Sequence, residues 1–329
     1  MCLWPKKWWS RAILSFVAVL VLPYLHSRVG SQWRLTSIYL SSDTTAPEQT
    51  PSTRIRIACY HIAHGRGVAE SNWDGGTAAE RLARLDSIAA LLQQNAANVV
   101  VLNEVDFDCS WSHSMDQARY IADKAGYSYV AEQRNLDFRV LFWTWTFGNA
   151  VLSKYPIANV HVVQLPGYSA LQTLFGGKKR AVVCDVAFPD RTIRVIGAHL
   201  SEKTEAVRVS SARMLLDVTR GSDLPTILAG DLNSTPPGFP ESEIDGHGNN
   251  AIQTFDRSDF FQGFQPELPL TSEDLTFHSV HPEMVIDWIL IPIDWSYAQY
   301  RIEATDLSDH RPVFADLTLP ENRMQRDVR

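Results

Sequence analysis

Asn98-Val99-Val100-Val101-Leu102-Asn103-Glu104-Val105-Asp106 is a compact apolar run that passes into acids without a break. Its length and β-branched content predict a buried strand over 98–102 that delivers carboxylates at its C-terminal end. The stretch before it, Thr77 to Asn95, spaces Ala79, Leu82, Leu85, Ile88, Ala89 and Leu92 as one helical face, and Thr77 with Glu80 forms a capping box. Ile55 to Ile62 precedes that helix as another short apolar strand. Strand, helix and acid-tipped strand therefore open the domain.

Downstream, Asp116 to Ala125 is predicted as a helix, and strands follow at Tyr127–Ala131, Val140–Trp145, Ala150–Ser153, Val160–Leu165, Ala181–Phe188 and Ile193–Leu200. Short turns such as Phe188-Pro189-Asp190 imply antiparallel hairpins. A helix carrying Ala206, Val209, Met214, Leu215 and Val218 then leads to a buried strand, Pro225–Ala229, which places Gly230-Asp231-Leu232-Asn233 in a loop. Two last strands, Val285–Ile291 and Pro312–Leu317, lie beside Asp287, Asp309 and His310. Occasional helices among many antiparallel strands predict an α/β fold of two packed sheets with helices outside and polar residues gathered at one end.

The 329 residues are 45% hydrophobic and 20% charged, which excludes collagen-like, coiled-coil and wholly disordered chains. That length accommodates two domains or one large α/β domain. The net charge is −7, and the first 31 residues contribute four bases and no acid, leaving 26 bases against 37 acids in the remainder. An overall electrostatic grip on nucleic acid or anionic lipid is disfavoured by that balance. Four cysteines are too few for a disulfide scaffold, and Cys59 and Cys184 fall in apolar runs that predict buried thiols.

Lys6, Lys7 and Arg11 precede an apolar run from Ala12 to Leu25, broken by Ser15 and Pro23. Residues 1–31 are accordingly expected to be a signal peptide or a membrane anchor, making the protein exported, either secreted or held at a membrane. Residues 32–53 are expected to be a linker, since 41–53 contain two prolines and no large apolar side chain. The folded domain should span 54–320, with a frayed tail over 321–329.

Several segments, in order, carry a family resemblance. They are Ile55-Arg56-Ile57-Ala58-Cys59-Tyr60-His61-Ile62-Ala63-His64-Gly65, Leu102-Asn103-Glu104-Val105-Asp106 and Gly148-Asn149-Ala150-Val151-Leu152-Ser153-Lys154-Tyr155-Pro156-Ile157. Ala198-His199-Leu200, Gly230-Asp231-Leu232-Asn233, Ile286-Asp287-Trp288-Ile289-Leu290 and Ser308-Asp309-His310-Arg311-Pro312-Val313 continue the series. This ordered set resembles the motifs of the endonuclease/exonuclease/phosphatase superfamily. The resemblance implies a DNase I-like four-layer α/β sandwich, with two mixed, mainly antiparallel sheets face to face, and metal-dependent hydrolysis of phosphate esters.

It also implies roles. Glu104 would be the principal Mg²⁺ ligand, Asp309 would assist the metal or His199, and Asp231 would orient or deprotonate the attacking water. Asn233 would hold the phosphate or that water. His310 would contact phosphoryl oxygens with Asp287 fixing its tautomer, and His199 would protonate the leaving oxygen or stabilise charge at phosphorus. Relatives usually have Asn where His61 stands, as a metal ligand. An imidazole there brings Mn²⁺ or Zn²⁺ into consideration beside Mg²⁺. In-line attack by water, neutralisation of phosphoryl oxygens and help for the leaving group need no Ser or Cys nucleophile.

The expected partner is a phosphate-ester substrate, whether nucleic acid, phospholipid or a smaller phosphodiester, with membrane association through the N-terminal segment and a monomeric state. An extracellular nuclease and a catalytically weakened phosphate-binding module are the alternative functions. Outside the set, Asp106 and Asp108 are expected to cap a turn. His64, His113, His161, His247, His278 and His281 should be surface or loop residues, His64 being the nearest exception. Trp143 and Trp145, two apart, share a strand face and should pack in the core or lie on a sheet surface. Lys178, Lys179 and Arg180 form a solvated turn, although Arg180 occupies a place where relatives carry an Arg near phosphate. The apolar Ser169–Gly177 loop is expected to border the cleft.

Overall fold

The computed structural model describes residues 5–31, 36–40, 54–140, 142–169, 173 and 177–320. The first sheet contains β1 (Thr36–Leu40), β2 (Arg54–His61), β3 (Val99–Cys109), β4 (Tyr129–Val140), β5 (Trp143–Ser153), β12 (Ser296–Ile302) and β13 (Val313–Thr318). Their order across the sheet is β1-β4-β5-β3-β2-β13-β12. The second sheet contains β6 (Ile157–Gln164), β7 (Arg180–Ala187), β8 (Thr192–Gly197), β9 (Thr226–Asp231), β10 (Phe261–Gln262) and β11 (Asp287–Pro292), in the order β10-β11-β9-β8-β7-β6.

Each sheet has a parallel pair among antiparallel neighbours, β2 with β3 and β8 with β9. A parallel pair needs a crossover, and α2 (Ala78–Gln94) and α4 (Glu205–Arg220) supply one each. His61 and Asp231 end β2 and β9, His199 lies two residues beyond β8, and Glu104 follows Asn103, the last residue of β3 to pair with β2, so the crossovers bring chemistry to one end of both parallel pairs.

Side chains such as Ile57, Val101, Val182, Val195, Ile227 and Ile289 fill the space between the sheets. The outer face of the first sheet buries Tyr60, Val100 and Leu102 against Leu85, Ile88 and Leu92 of α2 and Ile121 of α3 (Gln117–Ala125). The outer face of the second buries Ile196 and Leu228 against Val209 and Leu215 of α4 and Phe255 of α5 (Ala251–Asp256). Helix, sheet, sheet and helix make the four-layer α/β sandwich of the DNase I type.

Local signals set the helix ends. Thr77 accepts from the Glu80 N–H while Glu80 reaches back to the Thr77 N–H, completing the capping box. Asp116 caps α3 through the Arg119 N–H, and Gly126, at φ 78°, ends that helix in the left-handed region. Cys59, Cys109 and Cys184 are free, buried thiols.

The structure departs from the sequence expectations in four places. The acid-tipped strand continues to Cys109, so Glu104 and Asp106 lie within β3, with an irregularity in its pairing to β5 between Leu102 and Val105. Val140–Trp145 is not one strand. It crosses the turn between β4 and β5, whose aromatic residues conceal the hairpin, and Phe142 and Trp143 are exposed there. Thr36–Leu40, inside the stretch expected to be a linker, pairs as an edge strand with β4. β12 mixes half-buried Tyr297, Tyr300 and Ile302 with exposed Ser296, Ala298 and Gln299 and has no continuous apolar run.

Residues 32–35, 41–53 and 321–329, and most of the apolar loop at 170–176, lie outside the described residues. The N-terminal segment is a helix, α1 (Pro5–Ser31), whose Trp8–Leu25 window has a mean hydropathy of 1.5 and no buried residue. It is long and apolar enough to cross a membrane.

Candidate active site

Buried side-chain amides join the two sheets beneath the strand ends. Asn103 of β3 donates from Nδ2 to Asn149 Oδ1 at 2.9 Å and to the Ala198 carbonyl at 3.1 Å, while its Oδ1 accepts the Asp231 N–H at 2.9 Å. Asn149 of β5 donates to Gln133 Oε1 and to the Arg180 carbonyl. Gly230 allows the close approach: a Cβ there would lie 2.0 Å from the Ala198 oxygen, and its φ is +135°.

Above this layer lies a cleft of about 520 Å³ lined by His61, Glu104, His199, Asp231, Asn233, Asp309 and His310. Asp287 is directly behind, accepting from His310 Nδ1 at 2.8 Å, so His310 presents Nε2 to the cleft. The His310 ring stacks on His61 with centroids 4.0 Å apart, and His199 meets His61 edge-on at 5.2 Å.

Asp231 and Asn233 meet through a turn. Asn233 has φ 49°, and its backbone N–H and Nδ2 donate to the two oxygens of Asp231, each at 2.9 Å. Burial pushes the Asp231 carboxyl up to about 6. Burial also lowers the His199 imidazole well below its usual range, helped by Lys179, whose Nζ is 3.0 Å from His199 Nε2.

Glu104 reaches the cleft from a backbone at φ 50°. Its Oε2 lies 3.4 Å from His61 Nε2, 3.2 Å from His64 Nε2 and 3.5 Å from Arg66 Nη1. Burial opposes ionisation of Glu104, but His61 and His64 hold its carboxyl well below the usual range. Burial likewise opposes charging of His61, and Glu104 and Asp309 reverse that effect and raise it well above normal. Arg66 Nη2 donates to Asp309 Oδ2 at 2.5 Å, while Ser308 Oγ donates to the His61 carbonyl at 2.7 Å and ties the two loops together.

Several side chains differ from their sequence expectations. Asp106 does not cap a turn: it is fully buried and accepts from His64 Nδ1 at 2.6 Å and Trp111 Nε1 at 2.8 Å. His64, the histidine singled out as the nearest exception to a surface or loop placement, lines the cleft. Lys179 reaches His199 and Glu202, whereas Arg180 is buried and donates to the Arg134 and Asn135 carbonyls. Asp108 accepts from Thr144 Oγ1 and pairs with Arg139. Trp143 is 45% exposed, while Trp145 stacks between Phe138 and Trp111. His113, His161, His247 and His281 are exposed as expected, and His278 is half-buried. Gly167, Thr173 and Gly177 border the cleft from the apolar loop region.

Sequence reasoning missed Arg66 and Asn103 in addition to His64 and Lys179. The His61-x-x-His64 spacing immediately before Gly65-Arg66-Gly67 is the available signal for two of them, because a tight turn brings residues three apart to one side.

The donor chemistry fits a divalent ion. Three sets of buried or nearly buried donors have ligand atoms within 4.8 Å of one another: His61 with Asp309 and His310, His61 with His199 and Asp231, and Asp231 with Asp287 and His310. His61 Nδ1 is buried without a hydrogen-bond partner among the described residues and faces Asp309 Oδ1 at 3.7 Å.

Two mixed sheets with acids, imidazoles and amides at one end define a DNase I-like α/β protein of the hydrolase kind. The sequence matches the Endonuclease/Exonuclease/phosphatase family over residues 64–310, and the chain belongs to that family. Its members are phosphoesterase hydrolases that typically use divalent metals. No curated protein matches the sequence.

Among solved structures, an endonuclease/exonuclease/phosphatase from Bacteroides vulgatus superposes with a TM-score of 0.61 at 17% identity, over 82% of this chain and 100% of that one. One from Beutenbergia cavernae gives 0.57 at 21% identity, over 81% and 72%. A mannosyl-6-phosphatase from Bacteroides thetaiotaomicron gives 0.56 at 16% identity, over 80% and 99%. At these identities the likeness is one of fold.

Proposed function

We propose that this protein is a metal-dependent phosphodiesterase in which water attacks phosphorus in line, opposite the leaving oxygen. The observation that carries the reading is the clamp on Asp231. Both carboxylate oxygens are fixed by Asn233, and burial brings the carboxyl to about 6, where it is ionised at neutral pH yet basic enough to take a proton from water.

Glu104, Asp309 and His61 would hold the divalent ion, Mg²⁺ by analogy with the family. Such an ion supplies Lewis acidity at the phosphoryl oxygens when bound. The chain's own groups do the remainder. Asp231 receives the proton and Asn233 keeps its oxygens aimed. His310, anchored by Asp287, donates a hydrogen bond to a phosphoryl oxygen through Nε2. Burial and Lys179 keep His199 neutral, so it would serve as a neutral hydrogen-bonding group, with Lys179 the cation beside it that faces the phosphoryl charge.

Hydrolysis of bis-p-nitrophenyl phosphate tests this. Activity should require a divalent ion, stop with chelator and vanish in Glu104→Ala. Turnover that survives both treatments would sink the proposal, and phosphate-ligand binding without turnover under any ion would favour the weakened binding module. The exposed apolar face of α1 supports an export leader or membrane anchor. Recovery of the full chain in the soluble fraction of the cytoplasm would contradict that role.

A further inference from the structure

We propose that the tip of the β4–β5 hairpin, Phe142 and Trp143, is a second membrane contact beside α1 that brings the active-site end of the domain to a zwitterionic lipid surface, a reading that rests on α1 staying on the chain as an anchor.

The register of β1 decides where α1 enters the domain. β1 runs antiparallel to β4, with Thr36 opposite Gln133 and Leu40 opposite Tyr129. The part of β4 beyond Gln133, which leads to the hairpin tip, therefore lies on the side from which α1 arrives. Five Cα-to-Cα steps separate Ser31 from Thr36, so helix and strand are at most about 18 Å apart. A ring contact agrees with that placement, since the centroids of Tyr24 and Phe138 are 5.5 Å apart.

Tyr24 also marks a depth. The apolar Trp8–Leu25 window holds 18 residues, about 27 Å of helix, close to the thickness of a hydrocarbon core. Trp8 and Trp9 stand at one end of it and Tyr24 at the other, the two levels that aromatic side chains occupy in a bilayer. With Tyr24 at the lipid–water boundary, Phe138 is beside that boundary as well. Four residues on, the turn carries Phe142 at 76% exposure next to Trp143 at 45%, their rings 4.8 Å apart. A pair of exposed aromatic rings on a hairpin tip marks an interaction site, and rings of this kind insert at the headgroup level.

Charge selects the kind of surface. Arg139, near the tip, is paired with Asp108 at 2.9 Å, and residues 32–329 carry 26 bases against 37 acids. Attraction to anionic lipid needs clustered, unneutralised bases, so the contact is an apolar one suited to phosphatidylcholine.

The hairpin and the cleft share one end of the sandwich. β5 pairs antiparallel with β3, Ala150 opposite Leu102 and Trp145 opposite Cys109, so the tip projects past Glu104. Five strand steps from Gly148, opposite Val105, to Trp143 put the tip about 17 Å beyond that level. Aromatic rings line the interval. Trp145 stacks on Trp111 at 5.9 Å, and Trp111 lies 5.9 Å from Phe147, which borders the cleft. The competing occupant of the tip is a second copy of this chain.

The test uses the full chain reconstituted in phosphatidylcholine vesicles. Cys2→Ser removes the thiol outside the described residues and leaves the buried Cys59, Cys109 and Cys184. An environment-sensitive fluorophore is then attached at Phe142→Cys, at Trp143→Cys or, as a control, at Ile293→Cys, an exposed apolar position just beyond the end of β11 remote from Asp287. The hairpin probes should emit at shorter wavelength than the control and be quenched by headgroup-depth nitroxide lipids at least about fivefold more strongly. Both effects should persist when the protein is diluted into excess lipid. Circular dichroism confirms that each variant is folded.

Water-like emission from both hairpin probes, in chains that float with the vesicles, would overturn the proposal and leave α1 as the anchor. A shift lost on dilution into lipid would assign the tip to a second copy and overturn it as well. Chains that do not float with the vesicles would remove the anchor and the proposal together.

Discussion

Replacing Asn103 by leucine keeps the side-chain volume and removes the polar link between the sheets. Three partners lose their bonds: the Asp231 N–H, the Ala198 carbonyl and Asn149 Oδ1, all in a layer where Asn103 is fully buried. A buried polar group left unpaired costs about 1–3 kcal/mol, so with three of them the substitution should destabilise the domain by roughly 3–9 kcal/mol. Typical domain stabilities are about 5–15 kcal/mol, so the loss is a large share of the whole. For a domain of this size it corresponds to a fall of roughly 10 °C in Tm. Equilibrium unfolding in guanidinium measures the first quantity and calorimetry the second. The Asp231 backbone is also released, so kcat per folded molecule should fall by about 10-fold. An Asn103→Leu protein within about 1 kcal/mol of the parent would refute the idea that this amide joins the sheets.

Gly230→Ala should prevent accumulation of soluble protein, because its Cβ would meet the Ala198 oxygen at 2.0 Å. Gly238→Ala, at φ +92° with nothing within 4 Å, should cost only about 1 kcal/mol in urea unfolding. Asp287→Asn should lower kcat by about 100-fold or more with calorimetric metal affinity nearly unchanged, since an amide can turn its N–H to His310 Nδ1 and fix the wrong tautomer. Equal losses of turnover and metal binding would contradict that role. Burial, then Glu132, raises the Asp116 carboxyl to about 7, so between about pH 4 and 7 the folded protein holds a proton that the unfolded chain has released. This group's contribution therefore weakens as pH rises through that window. Asp116→Asn preserves the cap, and in urea unfolding it should be near parental at pH 4 and about 1–2 kcal/mol more stable at pH 8. A variant no more stable than its parent at pH 8 would count against the raised carboxyl.

What was legible in the sequence follows from which interactions are local. The Thr77–Glu80 capping box, the α2 face and the β9 strand are patterns within about 20 residues, and periodicity exposes them. β1 and β12 are edge strands with one neighbour each, so they need no continuous apolar run, and their assignment depends on pairing partners far along the chain. The same division governs the site. Glu104, Asp231 and His310 could be named from their motifs. The Asp106–His64 pair spans 42 residues and Asn103 to Asp231 spans 128, and neither bond leaves a mark on its own segment. Asp106 looks like a turn residue because an acid after an apolar strand ordinarily is one. Only when β3 continues through it, with Trp111 and Gln117 folding back over the strand, does it become a buried anchor for an imidazole. The motif acids are thus readable one by one, whereas the groups that orient them belong to the packing of two sheets.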